Sequence, residues 1–112
     1  MSYSLVFWNQ NDDSSAPQTI YEGLQNGDKV PQVEKLPISQ ILQTLEQEFE
    51  DWARPDADSF EKDGSGAFQV ETTPYLVEFS CYGLAAEDMN KLIDIMLPFG
   101  CSLYDPQTNE RF

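Results

Sequence analysis

The chain has 112 residues, 40% of them hydrophobic, with 20 Asp and Glu against 6 Lys and Arg, no His, and a net charge of −14; it is too apolar for a disordered acidic tail and has the length of one α+β-sized domain, 1–112, with a two-layer core. The lack of His excludes Ser-His-Asp and Cys-His catalysis and His-ligated zinc, and the negative surface repels nucleic-acid phosphates. No apolar run approaches the roughly 18 residues of a membrane span, and the opening Met1-Ser2-Tyr3-Ser4-Leu5 carries no secretory pattern, so a cytoplasmic protein is expected, with no membrane and no nucleic-acid partner.

Ser4 to Trp8 reads as the first strand, followed by a polar loop over Asn9–Ser15. Pro17 suits a first helical turn, Ile20, Tyr21 and Leu24 follow at helical spacing, and Gly27 stops this minor helix. A Pro-punctuated connector runs from Val30 to Pro37. Ile38, Ile41, Leu42, Leu45, Phe49 and Trp52 then mark one apolar helix face that Pro55 terminates. Residues 54–66, rich in Asp, Gly and Ser, read as a loop.

Ala67–Thr73 alternates, Pro74 marks a turn, and Tyr75–Tyr82 completes a hairpin. Met89, Leu92, Ile93 and Met96 are the stripe of a second major helix, from about Ala85 to Leu97, with Glu87 and Asp88 favourable in its first turn and Pro98 and Gly100 at its end. Cys101–Tyr104 forms a last short strand before a polar tail, Asp105–Asn109. Cys81 and Cys101 read as buried free thiols.

Setting the minor helix aside, the order β-α-β-β-α-β predicts a ferredoxin-like α+β fold: a four-stranded antiparallel sheet with two helices on one face. Alternation sends Leu5, Phe7, Phe68, Val70, Val77, Phe79, Cys81, Cys101 and Leu103 toward the helices. The other face receives Val6, Trp8, Gln69, Glu71, Glu78, Ser80, Tyr82, Ser102 and Tyr104, and this face is expected to be open or covered by the minor helix or a second copy.

Two candidate partner-binding surfaces follow. The open face mixes the aromatic side chains of Trp8, Tyr82 and Tyr104 with the carboxylates Glu71 and Glu78, the composition of a protein interface with anchors. The stretch from Glu46 to Asp63 holds Glu46, Glu48, Glu50, Asp51, Asp56, Asp58, Glu61 and Asp63 against Arg54 and Lys62. Its first four acids are predicted in the second half of a helix, against the macrodipole, with Trp52 beside them as an anchor. Asp56-Ala57-Asp58 opens like a calcium loop, but Glu61 stands where the EF-hand needs Gly. A third group of polar residues, Tyr82-Gly83, Glu87, Asp88 and Asn90, and Tyr104-Asp105-Pro106-Gln107, reads either as a small polar site made by loops or, the favoured reading, as cap and turn chemistry. No spacing marks a catalytic pair, so no catalytic residue, metal or cofactor is expected.

The opening Met1-Ser2-Tyr3-Ser4-Leu5-Val6-Phe7-Trp8, with Cys81-Tyr82-Gly83-Leu84, Glu87–Asp94 and Gly100–Thr108, resembles a family of small acidic bacterial proteins. These are similar to immunity proteins of polymorphic toxin systems, including contact-dependent growth inhibition. The resemblance covers the first strand and the last third, and it implies a non-enzymatic protein that binds a co-encoded, basic, nuclease-type toxin domain and blocks it. Two alternatives stand beside this reading. One is a homodimer that pairs its open faces and binds a small regulatory ligand. The other is a carboxylate- or metal-dependent enzyme.

Overall fold

A computed structural model describes residues 2–10, 16–27, 30, 33–108 and 110–111. The expected loop Asn9–Ser15 therefore lies mostly outside the described residues, as do parts of the Val30–Pro37 connector and Asn109 of the tail. The elements are β1 (Ser2–Gln10), α1 (Pro17–Gln25), β2 (Val33–Glu34), α2 (Ile38–Glu48), β3 (Ser59–Lys62), β4 (Gly66–Thr73), β5 (Leu76–Tyr82), α3 (Ala86–Met96), a single 3₁₀ turn (Leu97–Phe99), β6 (Ser102–Asp105) and β7 (Glu110–Arg111). No described helix is long and apolar enough to cross a membrane.

Among the described residues the strands run in the order β3-β4-β5-β1-β6-β7, every neighbouring pair antiparallel. The two-residue β2 pairs with the end of β1. On one face, Leu5, Phe7, Phe68, Val70, Val77, Phe79, Cys81 and Cys101 are buried in a cluster with Ile41 and Leu45 of α2 and Leu92, Ile95 and Met96 of α3, and Leu103 packs against it half-buried. The period-2 alternation thus assigned the helix-facing side chains correctly. Full burial of one such aliphatic side chain contributes about 1.5–3 kcal/mol, so this layer dominates the stability. Cys81 and Cys101 are unpaired and buried, and burial pushes both thiols up to about 11.

The ferredoxin-like expectation is corrected. The sheet holds six strands along its main path rather than four, and α1 makes a third helix. α1 packs on the opposite face from α2 and α3, where Ile20 and Leu24 join Val6, Trp8, Leu76 and Tyr104 in a second buried cluster. The sheet is therefore sandwiched, with α2 and α3 over one face and α1 over part of the other. The extra edge strand β3 lies inside the expected 54–66 loop. It brings one apolar side chain inward, Phe60, stacked on Phe68 with centroids 4.8 Å apart. Its outer edge is blunted where Ala53 bridges Glu61 and the Arg54 guanidinium donates to the Ser59 and Ala57 carbonyls.

α2 also ends earlier than the periodicity implied. Phe49 leaves helical geometry, and Trp52 continues the inward pattern from a turn. This bend sets Trp52 edge-on to Phe49 at 5.1 Å and against Phe68 at 5.7 Å.

At the far end of β6, Asp105 is buried, accepting from the Tyr3 hydroxyl, the Gln107 side-chain amide and the Gln107 backbone N–H. The Gln107 amide also bonds both backbone groups of Ser4, at 2.7 and 3.1 Å, in place of a strand partner. Burial pushes the Asp105 carboxyl up, but these donors outweigh it and hold it below the usual carboxylate value. A carboxyl lowered in the folded state contributes stability that is complete above its unfolded pKa of about 3.9 and is lost as the pH falls through the folded value. In urea unfolding, Asp105→Asn should trail the wild type most above about pH 5, and the gap should close on acidification below about pH 3. A gap that stays constant across that range contradicts this account of Asp105.

Candidate functional site: the uncovered half of the second sheet face

The strand register defines the site. Three cross-strand rows lie on the face that α1 shares: Glu61–Ala67–Tyr82, then Ser59–Gln69–Ser80–Ser4, then Glu71–Glu78–Val6–Tyr104. α1 covers the β1–β6 side of the third row and reaches Glu78 of β5 through Tyr21. Val6 and Trp8 (1% exposed) are buried there with Tyr104 (2%) beneath Tyr21, and Tyr104 lies 5.2 Å from each of the Trp8 and Tyr21 rings. The first two rows carry no covering helix. Glu61, Gln69 and Tyr82 are exposed, and Tyr82 retains 44% of its surface.

The expected anchors therefore separate. Trp8 and Tyr104 are core residues of the α1 layer, because the short amphipathic helix lands on them. Trp52, 7% exposed, belongs to the aromatic cluster under α2. Of the four aromatic anchors named from sequence, only Tyr82 is presented to solvent. Glu61 was missed as a member of this face. Ser59–Lys62 has a single apolar residue, so no alternation was visible there.

Glu71 and Glu78 are direct cross-strand partners and border the cover. Tyr21 donates to Glu78 at 3.0 Å and itself accepts from Gln25 at 2.8 Å. Burial pushes the Glu78 carboxyl up. The Tyr21 bond pulls it down and the Glu71 charge adds to the rise, leaving it above the ordinary value. Beside them lies a cavity of about 220 Å³ lined by Leu24, Gln25, Glu71, Thr72, Leu76 and Glu78. Among the described residues, no three His, Cys, Asp or Glu side chains gather as a set that could hold a metal ion.

The acidic stretch resolves into two parts. Glu46, Glu48 and Asp51 are met by cations: Arg54 lies 3.6 Å from Glu46, Lys91 lies 3.9 Å from Glu48, and Lys62 lies 2.8 Å from Asp51. The Lys62 ammonium, donating to Asp51, holds that carboxyl below the usual range. Lys91 also donates to the Glu48 carbonyl at 2.7 Å, which places a cation at the negative end of α2. The expected conflict with the macrodipole is therefore offset. Glu50 and Asp51 lie beyond the helix altogether.

Among the described residues, no cation lies within ion-pair distance of Glu50, Asp56, Asp58, Glu61, Asp63 or Glu71. Asp56 and Asp58 line a recess of about 320 Å³ together with Gln69, Val70 and Glu71. The backbone of this loop is tied to the sheet, Val70 N–H donating to the Asp58 carbonyl at 2.8 Å. Much of the uncompensated charge thus borders the uncovered half-face rather than α2.

No family model, curated protein or solved structure matches the chain.

Proposed function

We propose that the protein is a non-catalytic inhibitor of the immunity type, which binds a basic toxin domain in the cytoplasm and neutralises it. The observation that carries this reading is the grouping of Asp56, Asp58, Glu61 and Glu71, which have no ion-pair partner among the described residues, around a sheet face left uncovered beside α1. Such a surface attracts a positive partner over a Debye length of about 10 Å at 0.1 M salt, accelerates its docking and occupies the surface that it offers to phosphates. Self-association through the same face would set these carboxylates against their own copies, which weighs against the homodimeric alternative.

Affinity capture from a lysate of the native strain at low salt, with the bound chain identified, tests the reading. The expected catch is a strongly basic chain, released as salt rises, whose own toxicity or nuclease activity is suppressed by the purified protein. A captured chain that is acidic or is held independently of salt, or a basic chain whose activity is unaffected, overturns it.

A further inference from the structure

We infer that the row Glu61–Ala67–Tyr82 is the seat of an arginine side chain presented by the partner. The inference rests on the binder reading above and assigns it a contact point. The three residues are cross-strand neighbours on β3, β4 and β5, on the face opposite the buried Phe60, Phe68 and Cys81. Adjacent strands stand about 4.8 Å apart, so Glu61 and Tyr82 flank Ala67 across roughly 10 Å. Ala67 contributes only a methyl group between the Glu61 carboxylate and the Tyr82 ring, so the register leaves room for a notch between them.

A guanidinium suits that notch. It is planar and weakly hydrated, it stacks on an aromatic face, and it donates in a fork to a carboxylate at the same time. A lysine ammonium makes the ion pair but not the planar stack. The charge here excludes a stacked nucleic-acid base: Glu61, with Glu71 four residues beyond Ala67 along β4 on the same face and Asp58 beside Glu71, repels phosphate. Another copy of this chain would bring the same carboxylates. A basic protein segment remains the occupant with complementary charge.

Glu61 is free to serve because its side chain makes none of the stretch's ion pairs, while its backbone is held by the two hydrogen bonds to Ala53, at 2.8 and 2.9 Å. At the other flank, the backbones of Gly66 and Gly83 approach so closely that a Cβ on Gly66 would lie 2.4 Å from the Gly83 carbonyl oxygen, just outside the paired Ala67 and Tyr82.

The test is amide chemical-shift mapping of the full chain with a short oligo-arginine peptide, and with oligo-lysine of equal length as the comparison. Shifts should concentrate at Glu61, Ala67, Gln69 and Tyr82. Tyr82→Ala should weaken oligo-arginine binding by roughly threefold to tenfold and change oligo-lysine binding less. Tyr82→Phe should retain the wild-type affinity, and Glu61→Gln should weaken both peptides. The unperturbed amide spectrum outside the row checks that each variant is folded. Shifts confined to Glu46–Asp51, or equal losses for both peptides in Tyr82→Ala, overturn the arginine seat. Neither result overturns the binder reading, which falls only if the capture experiment fails.

Discussion

Phe68→Ala should lower the free energy of unfolding by about 3–5 kcal/mol, the range for removing a fully buried aromatic side chain. Phe68 is 0% exposed and is the centre of the aromatic cluster. It stacks on Phe60 of β3 at 4.8 Å, meets Phe49 at the end of α2 at 5.0 Å, and contacts Trp52 at 5.7 Å and Phe79 of β5 at 5.9 Å. Truncation opens a cavity walled by four rings, none of which can collapse into it without leaving another partner. The edge strand β3 is the most exposed to this loss, since Phe60 is its inward side chain. Urea unfolding checks the value. The contrast is Tyr82→Ala on the opposite face of the same sheet, which should cost less than about 1 kcal/mol because the ring is solvent-exposed. A loss below about 1 kcal/mol for Phe68→Ala would mean that the cluster is not the structural centre described.

Gly66→Ala should be nearly as damaging, through the backbone rather than through lost burial. Gly66 has φ +107°, and a methyl group there would lie 2.4 Å from the Gly83 carbonyl oxygen and 2.7 Å from the Leu84 Cα. Both obstacles are main chain, at the joint where β5 passes into α3, so no side-chain rotation relieves them. The same joint is tied by the Ala85 N–H donating to the Ser65 carbonyl at 3.1 Å. Backbone strain and overpacking each cost about 1–3 kcal/mol, so the sum is about 2–6 kcal/mol. A fall in the thermal midpoint of about 10 °C or more follows. Gly64→Ala provides the control: its φ is +81° but the space around it is empty, so only the conformational cost of about 1 kcal/mol remains. Equal losses at the two glycines would show that the Gly66–Gly83 contact does not carry the effect.

The sequence made the inner face of the sheet legible because alternation is a local signal with period two. Leu5 and Phe7, Phe68 and Val70, and Val77, Phe79 and Cys81 all point where that period sends them. Features set by long-range placement were not legible. α1 was visible as a short helix, but nothing in Ile20, Tyr21 and Leu24 says on which face they land, and their landing turns Trp8 and Tyr104 from surface anchors into core. The inward pattern of Phe49 and Trp52 is the same for a helix and for a turn that follows one, so the end of α2 was read too late. β3 has one buried apolar side chain and β7 has two residues, too little for any periodicity.

The charge was legible as a total but not as a map. Lys91 reaches Glu48 from 43 residues away and Lys62 reaches Asp51 from 11, and these pairings decide which carboxylates remain uncompensated. They leave Asp56, Asp58, Glu61 and Glu71 beside the uncovered half-face, with Tyr82 the exposed ring among the sequence-named anchors.

On the function proposed above, this uncompensated charge is a binding surface. The most direct measurement is the affinity of the captured basic partner, across a salt series, for two neutralised variants. One carries Asp56→Asn, Asp58→Asn, Glu61→Gln and Glu71→Gln; the other carries Glu46→Gln, Glu48→Gln and Asp51→Asn. The first should lose at least about tenfold in affinity and most of its salt dependence, and the second should change by less than about threefold. Unchanged binding in the first variant, or a larger loss in the second, would contradict the assignment of the surface.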